Sequence, residues 1–183
     1  MSGPAVLRTE RLHLRATEPG DAPAILDLFA DEATTRYWAH RPLADRAAAQ
    51  AWIETRLDAR SRGELLDWVA VCPDAGAVGI CFLSHLSLAN RRGEIGYAVH
   101  RDHQGSGLAS EMIRRVLEHA FEDLDLHRVE ADVDPRHGAS LRLLEKHGFR
   151  EEGRLRDRWQ ATGEVQDSVL LGLLAPDWRA PRP

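Results

Sequence analysis

The sequence is poor in cysteine and has no excess of basic residues. Its 183 residues include only Cys72 and Cys81, and a secreted disulfide framework would need more. We expect both to be reduced thiols. The formal net charge is −5, whereas a general nucleic-acid binder needs a net basic face to release counterions from phosphates. We therefore expect no nucleic-acid partner.

Long apolar runs and metal-ligand clusters are also missing. No stretch approaches the ~18 consecutive apolar residues of a transmembrane helix, and the first residues carry no signal-peptide pattern. These absences predict a cytoplasmic location and no membrane partner. Among the nine histidines, the nearest approach to a ligand cluster is His100 and His103 around Asp102, a weak spacing on a predicted turn. We expect no metal.

What is present is the composition of one globular domain. The length falls within the ~100–200 residues of a typical domain. Hydrophobic residues make up 43% of the chain, enough for a core that buries roughly 70% of the surface of the unfolded chain. We predict a single domain over residues 1–183, with its core at about 7–178 and a short flexible tail at 180–183.

Hydrophobic periodicity predicts an α+β or mixed α/β sheet. Strands are predicted at 12–16, 65–71, 77–88, 92–100, 127–133, 149–160 and 168–174. Helices are predicted at 22–30, 43–60, 109–124 and 140–147. Because strands and helices do not strictly alternate, this order is unlike a doubly wound parallel sheet. The predicted buried face of the second helix consists of Ala47, Ala51, Trp52, Thr55 and Leu57.

A glycine-containing loop, Gln104-Gly-Ser-Gly-Leu-Ala109, connects a predicted strand to a predicted helix. Glycines let the backbone turn tightly and point several N–H groups at one spot. The helix adds its unsatisfied N–H groups and the positive end of its dipole. This combination favours phosphate binding, although a plain glycine turn remains the alternative. The loop lacks the Gly-Lys-Ser/Thr of a Walker loop and the third glycine of a dinucleotide fingerprint.

The spacing of Gln104, Gly107 and Ala109 resembles the coenzyme A pyrophosphate loop of the GNAT superfamily. The preceding strand, 94–100, resembles that family's thioester-holding strand, and 140–149 resembles its second coenzyme-contacting helix. The resemblance implies a central mixed, mostly antiparallel sheet with helices on both faces. It also implies a V-shaped splay between two central parallel strands, which accommodates the pantetheine arm.

The two ends of the resembling region, 7–15 and 152–170, are similar to the branch related to the RimJ and RimL ribosomal-protein N-terminal acetyltransferases. This implies acyl transfer, with acetyl as the leading group, from coenzyme A to an amine by direct attack. The leading acceptor is a protein or peptide α-amine. A small amine (amino acid, polyamine or aminoglycoside) and a non-catalytic acyl-CoA sensor are the alternatives. The branch also suggests a homodimer.

The resemblance implies a set of coenzyme-binding residues. A bulge in the strand before the loop would free the N–H groups of Tyr97, Ala98 and Val99 to hold pantetheine and polarise the thioester carbonyl. His137 stands where the family usually has Asn, and it can hydrogen-bond or titrate, or be an exposed loop residue. The predicted coenzyme-binding residues are Tyr97, Ala98, Val99, Gln104, Gly105, Ser106, Gly107, Leu108, Ala109, His137 and Ser140.

Two residues are predicted to be catalytic. A neutral amine must attack, and an α-amine has a pKa of ~8, so a carboxylate suffices as base. Glu94 is that candidate, with a structural carboxylate as the alternative. Ser140 is predicted to protonate or hydrogen-bond the leaving thiolate, or to cap a helix starting at Leu141. Tyr97 should face the opposite side of the strand from Glu94, as a packing residue.

Aromatic residues suggest where the acceptor binds. Tyr37 and Trp38 lie between the two early helices, where this family builds the acceptor wall, and Trp159 is a further candidate. Core packing is the alternative for at least one of them. His85 and Ser87, on the strand before Asn90, are further possible lining groups.

Overall fold

The computed structural model describes residues 4–160 and 163–180; positions 181–183 of the predicted tail lie outside the described residues. The strands are β1 Leu7–Arg8, β2 His13–Ala16, β3 Leu66–Cys72, β4 Gly76–Ser87, β5 Arg92–Val99, β6 Arg128–Val133, β7 Arg150–Trp159 and β8 Gln166–Leu174. The helices are α1 Ala22–Ala30, α2 Glu32–Thr35, α3 Arg46–Ser61, α4 Leu108–Glu118, α5 Gly138–Lys146 and α6 Ala175–Arg179. A π-helical turn, His119–Asp123, prolongs α4.

The eight strands form one sheet in the order β1-β2-β3-β4-β5-β6-β8-β7. This confirms the predicted mixed, mostly antiparallel sheet. All seven predicted strands and four predicted helices occur. The structure adds β1, α2 and α6, which have two, four and five residues and are too short for a periodicity argument.

The predicted splay lies between β5 and β6, which run parallel. Their pairing begins at Arg92 with Arg128 and ends at Glu94 with Glu130. Both strands continue beyond this point, β5 to Val99 and β6 to Val133. Along this stretch β5 keeps its pairing with β4, and β6 keeps its pairing with β8. A gap is therefore left in the middle of the sheet.

Helices cover both faces of the sheet. The larger core lies under α4 and α5, where Met112, Val116 and Leu144 pack against residues such as Ile95 and Val129. A second core lies under α1 and α3; its buried members are Ala22, Ile25, Leu28, Phe29, Ala49, Ile53, Ile80 and Ala98. Alternate residues of β5 thus face different cores, as the two-residue period of a strand requires.

The buried face of α3 differs from the predicted one. Ala49 and Ile53 are buried, whereas three residues of the predicted face are exposed: Ala47, Ala51 and Thr55. Polar side chains occupy part of the inner face. Arg56 lies 4.4 Å from the ring centroid of Trp52, and its Nε donates to the fully buried Asp67 at 3.2 Å. Apolar spacing alone misplaces this face because arginine stems also pack inward.

Candidate active site

The glycine loop has the backbone geometry that phosphate binding needs. Gly105 and Gly107 have φ angles of +74° and +84°, where a side chain would be strained. Gly107 is the N-cap of α4, and no side chain caps this helix end. The first N–H groups of α4 therefore remain available at the positive end of the helix dipole. These donors fit a diphosphate.

A groove of about 560 Å³ runs from this loop to the gap in the sheet. Ten of the eleven predicted coenzyme residues line it, the exception being Ser106. The Ser106 hydroxyl instead donates to the His103 carbonyl at 2.5 Å, and its carbonyl accepts from Arg11 at 2.9 Å. Ser106 thus holds the loop in shape and does not face the groove.

The predicted bulge on β5 does not occur, because β5 pairs with β4 in unbroken register from Glu94 to Val99. An irregularity of this strand pair lies elsewhere, on β4. The register shifts between Ser84 and Ser87 of β4. No bulge is needed on β5, because His100 N–H donates to a β4 carbonyl at 2.9 Å, and alternation along an antiparallel pair then turns the N–H groups of Tyr97 and Val99 towards the gap. Gln104 Nε2 bonds the Val99 carbonyl on that same side, at 3.1 Å.

The prediction that the Ala98 N–H faces the gap is wrong. The same alternation points its N–H at β4, where Ala98 stands opposite Ile80. Ala98 nevertheless lines the groove. Its small side chain belongs to the core under α1 and α3.

Tyr97 and Ser140 form a hydroxyl pair at the inner end of the groove. Their oxygens are 2.7 Å apart. Ser140 is the third residue of α5, which begins at Gly138, and its hydroxyl caps no backbone group. The capping alternative is therefore wrong. Burial raises the pKa of Tyr97 to about 12, more than the bond to Ser140 lowers it, so the phenol stays protonated at neutral pH and can donate.

Tyr97 is the clearest residue that sequence reasoning undervalued. Its ring packs against the larger core, as expected, but its hydroxyl reaches the site. The partner, Ser140, lies 43 residues away along the chain. No local spacing reports such a contact.

A second cavity, of about 190 Å³, opens next to the groove and contains Glu94. Four carboxylate residues line it: Glu94, Asp132, Asp134 and Asp167. Aromatic side chains complete its walls: Tyr37, Trp38, Phe82, Tyr97 and Trp159. Within the described residues, no lysine or arginine lines this acidic pocket. Two of the carboxylates have arginine partners outside the lining: Arg136 donates to Asp134 at 2.6 Å, and Arg158 lies 3.6 Å from Asp132. The pocket therefore offers chiefly Glu94 and Asp167 to a cation with an apolar stem.

Glu94 is half-buried, and the imidazole of His85 lies close to its carboxylate. His85 Nδ1 lies 3.6 Å from Glu94 Oε2. Burial is the largest influence on the pKa of Glu94 and raises it, and the carboxylates of Asp132 and Glu130 raise it further. His85 and Arg158 lower the pKa of Glu94. The net shift is upward. Glu94 thus holds a proton more readily than an exposed glutamate.

The groove and the acidic pocket meet at five residues: Tyr37, Trp38, Tyr97, His137 and Ser140. His137 is not an exposed loop residue, because its ring stacks on Tyr37 with centroids 4.4 Å apart. Burial lowers the pKa of His137 despite the neighbouring Asp134. Trp38 also packs on Phe29 at 5.1 Å, so it combines wall and core roles. The two cavities therefore adjoin each other and share these side chains as a common wall.

A cysteine nucleophile and a metal site both find less support in the structure. Burial raises the pKa of the Cys81 thiol, which disfavours a thiolate nucleophile. Over residues 4–160 and 163–180, no three histidine, cysteine or acidic side chains are grouped to hold a metal ion. No helix in these ranges has the length and apolar content to cross a membrane.

Comparison with known proteins identifies the family. Residues 11–150 match the acetyltransferase (GNAT) domain. An uncharacterised N-acetyltransferase of Bacillus licheniformis is 33% identical over 94% of this chain and 97% of its own length. A putative ribosomal N-acetyltransferase of Bacillus subtilis is 28% identical over 92% and 94% of the two chains.

A solved structure agrees with this assignment. The spermidine N-acetyltransferase of Vibrio cholerae, crystallised in complex with CoA and spermine, has a TM-score of 0.83 and 25% identity, covering 94% of this chain and 100% of its own. The domain match, the full-length relative and the splayed sheet all point the same way, and the chain belongs to the GNAT family of acetyltransferases.

Proposed function

We propose that this acetyltransferase moves an acetyl group from acetyl-CoA to a primary amine by direct attack, with Glu94 as base. The observation that carries the proposal is that the groove and the acidic pocket adjoin, with the Tyr97–Ser140 pair lining both. A donor in the groove and an amine in the acidic pocket can meet there. Bound acetyl-CoA would supply the activated thioester.

Backbone groups would hold the coenzyme. The N–H groups of the glycine loop and of the first turn of α4 suit its diphosphate. The N–H groups of Tyr97 and Val99 suit its amide-containing arm and the thioester carbonyl, where developing negative charge is stabilised by preorganised donors. His137 and Ser140 line the opposite wall of the groove.

The side chains near the junction would handle protons. Glu94 takes one from the incoming ammonium and leaves a neutral amine that can attack. The raised pKa of Glu94 brings it closer to that of the amine, which eases the transfer. The Tyr97–Ser140 pair can donate a hydrogen bond to the departing sulfur, which takes up the second proton that the amine loses as the amide forms. The covalent step needs no enzyme nucleophile.

The acceptor proposed first is the α-amine of a protein or peptide, as in the RimJ and RimL branch. The acidic pocket supports a cationic acceptor, and its small volume of about 190 Å³ suits one amine with a short stem. A polyamine is the second candidate, favoured by the same carboxylates and by the spermine complex of the Vibrio cholerae relative. A cytoplasmic location and a homodimer remain predictions.

Calorimetric titration with acetyl-CoA and CoA, with ATP for comparison, tests the donor. We expect saturable binding of both coenzyme forms that is lost in Gly107→Trp. Gly76→Trp is the matched control, because Gly76 also has a positive φ, +72°, but lies at the start of β4, beside the β3–β4 turn. A folded protein that binds neither coenzyme form would refute the proposal.

A thiol-release assay with two acceptor sets then separates the candidates. One set contains short peptides with free N-termini beside acetyl-blocked copies, and the other contains spermidine and spermine. Turnover restricted to free N-termini supports the first acceptor, and turnover restricted to the polyamines supports the second. Binding of acetyl-CoA without turnover on any amine would favour the acyl-CoA sensor.

A further inference from the structure

Arg11 connects the start of the chain to the glycine loop. It lies in the turn between β1 and β2, and its Nη1 donates to the Ser106 carbonyl at 2.9 Å. Its Nε donates to Glu111 Oε2 at 2.7 Å, and its backbone N–H donates to Glu111 Oε1 at 2.9 Å. Thr9 also donates a hydroxyl hydrogen bond to Glu111. A single arginine therefore binds both the loop and the first turn of α4.

The position of Glu111 makes this contact electrostatically important. Its carboxylate lies in the first turn of α4, next to the helix end that offers N–H groups to a diphosphate. Burial opposes its ionisation, but hydrogen bonds from Thr9 and Arg11 outweigh burial and lower the pKa of Glu111. The carboxylate is thus charged, and without a partner it would repel an anionic ligand.

Arg11 also supports the loop from below. A Cβ atom built on Gly107 would lie 3.4 Å from Arg11 Nη2, so the guanidinium packs against the loop at Gly107. Its side chain keeps 45% of its exposure. Within the described chain, Arg11 is not among the residues that line the groove or the acidic pocket.

We propose that Arg11 is a positioning residue for the coenzyme diphosphate, which it serves by bracing the Ser106 carbonyl and neutralising Glu111. The inference rests on the proposed function, because acetyl-CoA is the ligand concerned. It gives a purpose to the Thr9–Arg11 part of the N-terminal segment, which no reaction step uses. Arg11 acts through the loop and need not touch the reacting atoms.

The test compares acetyl-CoA binding by calorimetry in three variants. Arg11→Ala should raise the Kd about 10- to 100-fold, because it removes charged hydrogen bonds and leaves the charge of Glu111 without its cationic partner. Glu111→Gln alone should change the Kd much less. The double variant should bind more tightly than Arg11→Ala, since the repelling charge is gone. Arg11→Lys, which keeps the charge without the planar fork, should fall between wild type and alanine.

Controls separate positioning from general folding. Arg8→Ala, on the neighbouring exposed position of β1, should leave the Kd unchanged. With acetyl-pantetheine, which lacks the diphosphate, Arg11→Ala should match wild type in kcat/KM, and kcat at saturating acetyl-CoA should be nearly unchanged.

Two results would overturn the inference. One is an Arg11→Ala Kd within about twofold of wild type, a difference too small for a lost charged bond. The other is an equal loss with acetyl-pantetheine. If Arg11→Ala does not fold, Arg11→Lys and the double variant provide the same comparison. Wild-type protein that fails to bind acetyl-CoA would instead refute the proposed function.

Discussion

At the residue scale, the proposed base Glu94 is controlled by charges on both sides. His85 on β4 lies 3.6 Å from its carboxylate, and Asp132 on β6 lines the same pocket. The two neighbours act in opposite directions on its pKa, which burial has already raised. A base works when deprotonated, so a raised pKa means that activity is lost at a higher pH as the solution is acidified.

This opposition predicts the pH profile of kcat/KM. His85→Gln removes a neighbour that lowers the pKa of Glu94, so that pKa should rise and the acid limb should move to higher pH. Asp132→Asn removes a negative neighbour, so the limb should move to lower pH. Glu94→Gln should lower turnover about 100-fold or more with nearly unchanged acetyl-CoA affinity. Shifts of both variants in the same direction, or full activity of Glu94→Gln, would refute the assignment.

The Tyr97–Ser140 pair predicts a non-additive loss of turnover. Tyr97→Phe and Ser140→Ala should each lower kcat, because either change removes one hydroxyl of the pair that serves the departing sulfur. If the pair acts as a unit, the double variant should be little worse than either single variant. Steady-state kinetics at saturating acetyl-CoA measure this. Fully multiplicative losses would mean that the two hydroxyls act separately.

At the scale of elements, a buried ion pair holds α3 on the sheet. Asp67 of β3 is fully buried, and it accepts from Arg56 and Arg60 of α3. Asp67→Ala should lower the free energy of unfolding by about 3–5 kcal/mol, because two largely buried cations would lose their partner. Denaturant unfolding measures this.

Asp58→Ala is the matched control for this prediction. Asp58 lies on the same helix and pairs with Arg62, but both side chains are largely exposed. Exposed ion pairs contribute little to stability, so this variant should unfold close to wild type. Equal stabilities of the Asp67 and Asp58 variants would contradict the docking role.

Local elements were predictable where neighbours along the chain decide them. The extents of α1 and β5 follow from apolar periodicity, and the positive φ of Gly107 follows from the turn chemistry of its loop. The buried face of α3 was not predictable, because its inward arginines depend on Asp67 of another element. The position of the bulge on β4 likewise depends on its register with β5.

At the scale of the whole molecule, the active site is a consequence of strand order. β8 lies between β6 and β7 in the sheet, although it is the last strand along the chain. Because β6 pairs with β8 and leaves β5 after Glu94, carboxylates of β5 and β6 and the ring of Trp159 surround one small pocket. The negative charge of that pocket arises from assembly.

The sequence by itself determined the glycine loop, the helix that follows it, the strands of the sheet and the family resemblance. Each of these depends on residues close together in the chain, so spacing reveals it. Only the tertiary structure decided the Tyr97–Ser140 pair, the clustering of four carboxylates and the contact of Arg11 with Glu111. These contacts join distant segments whose juxtaposition depends on sheet order and register, which local periodicity does not encode.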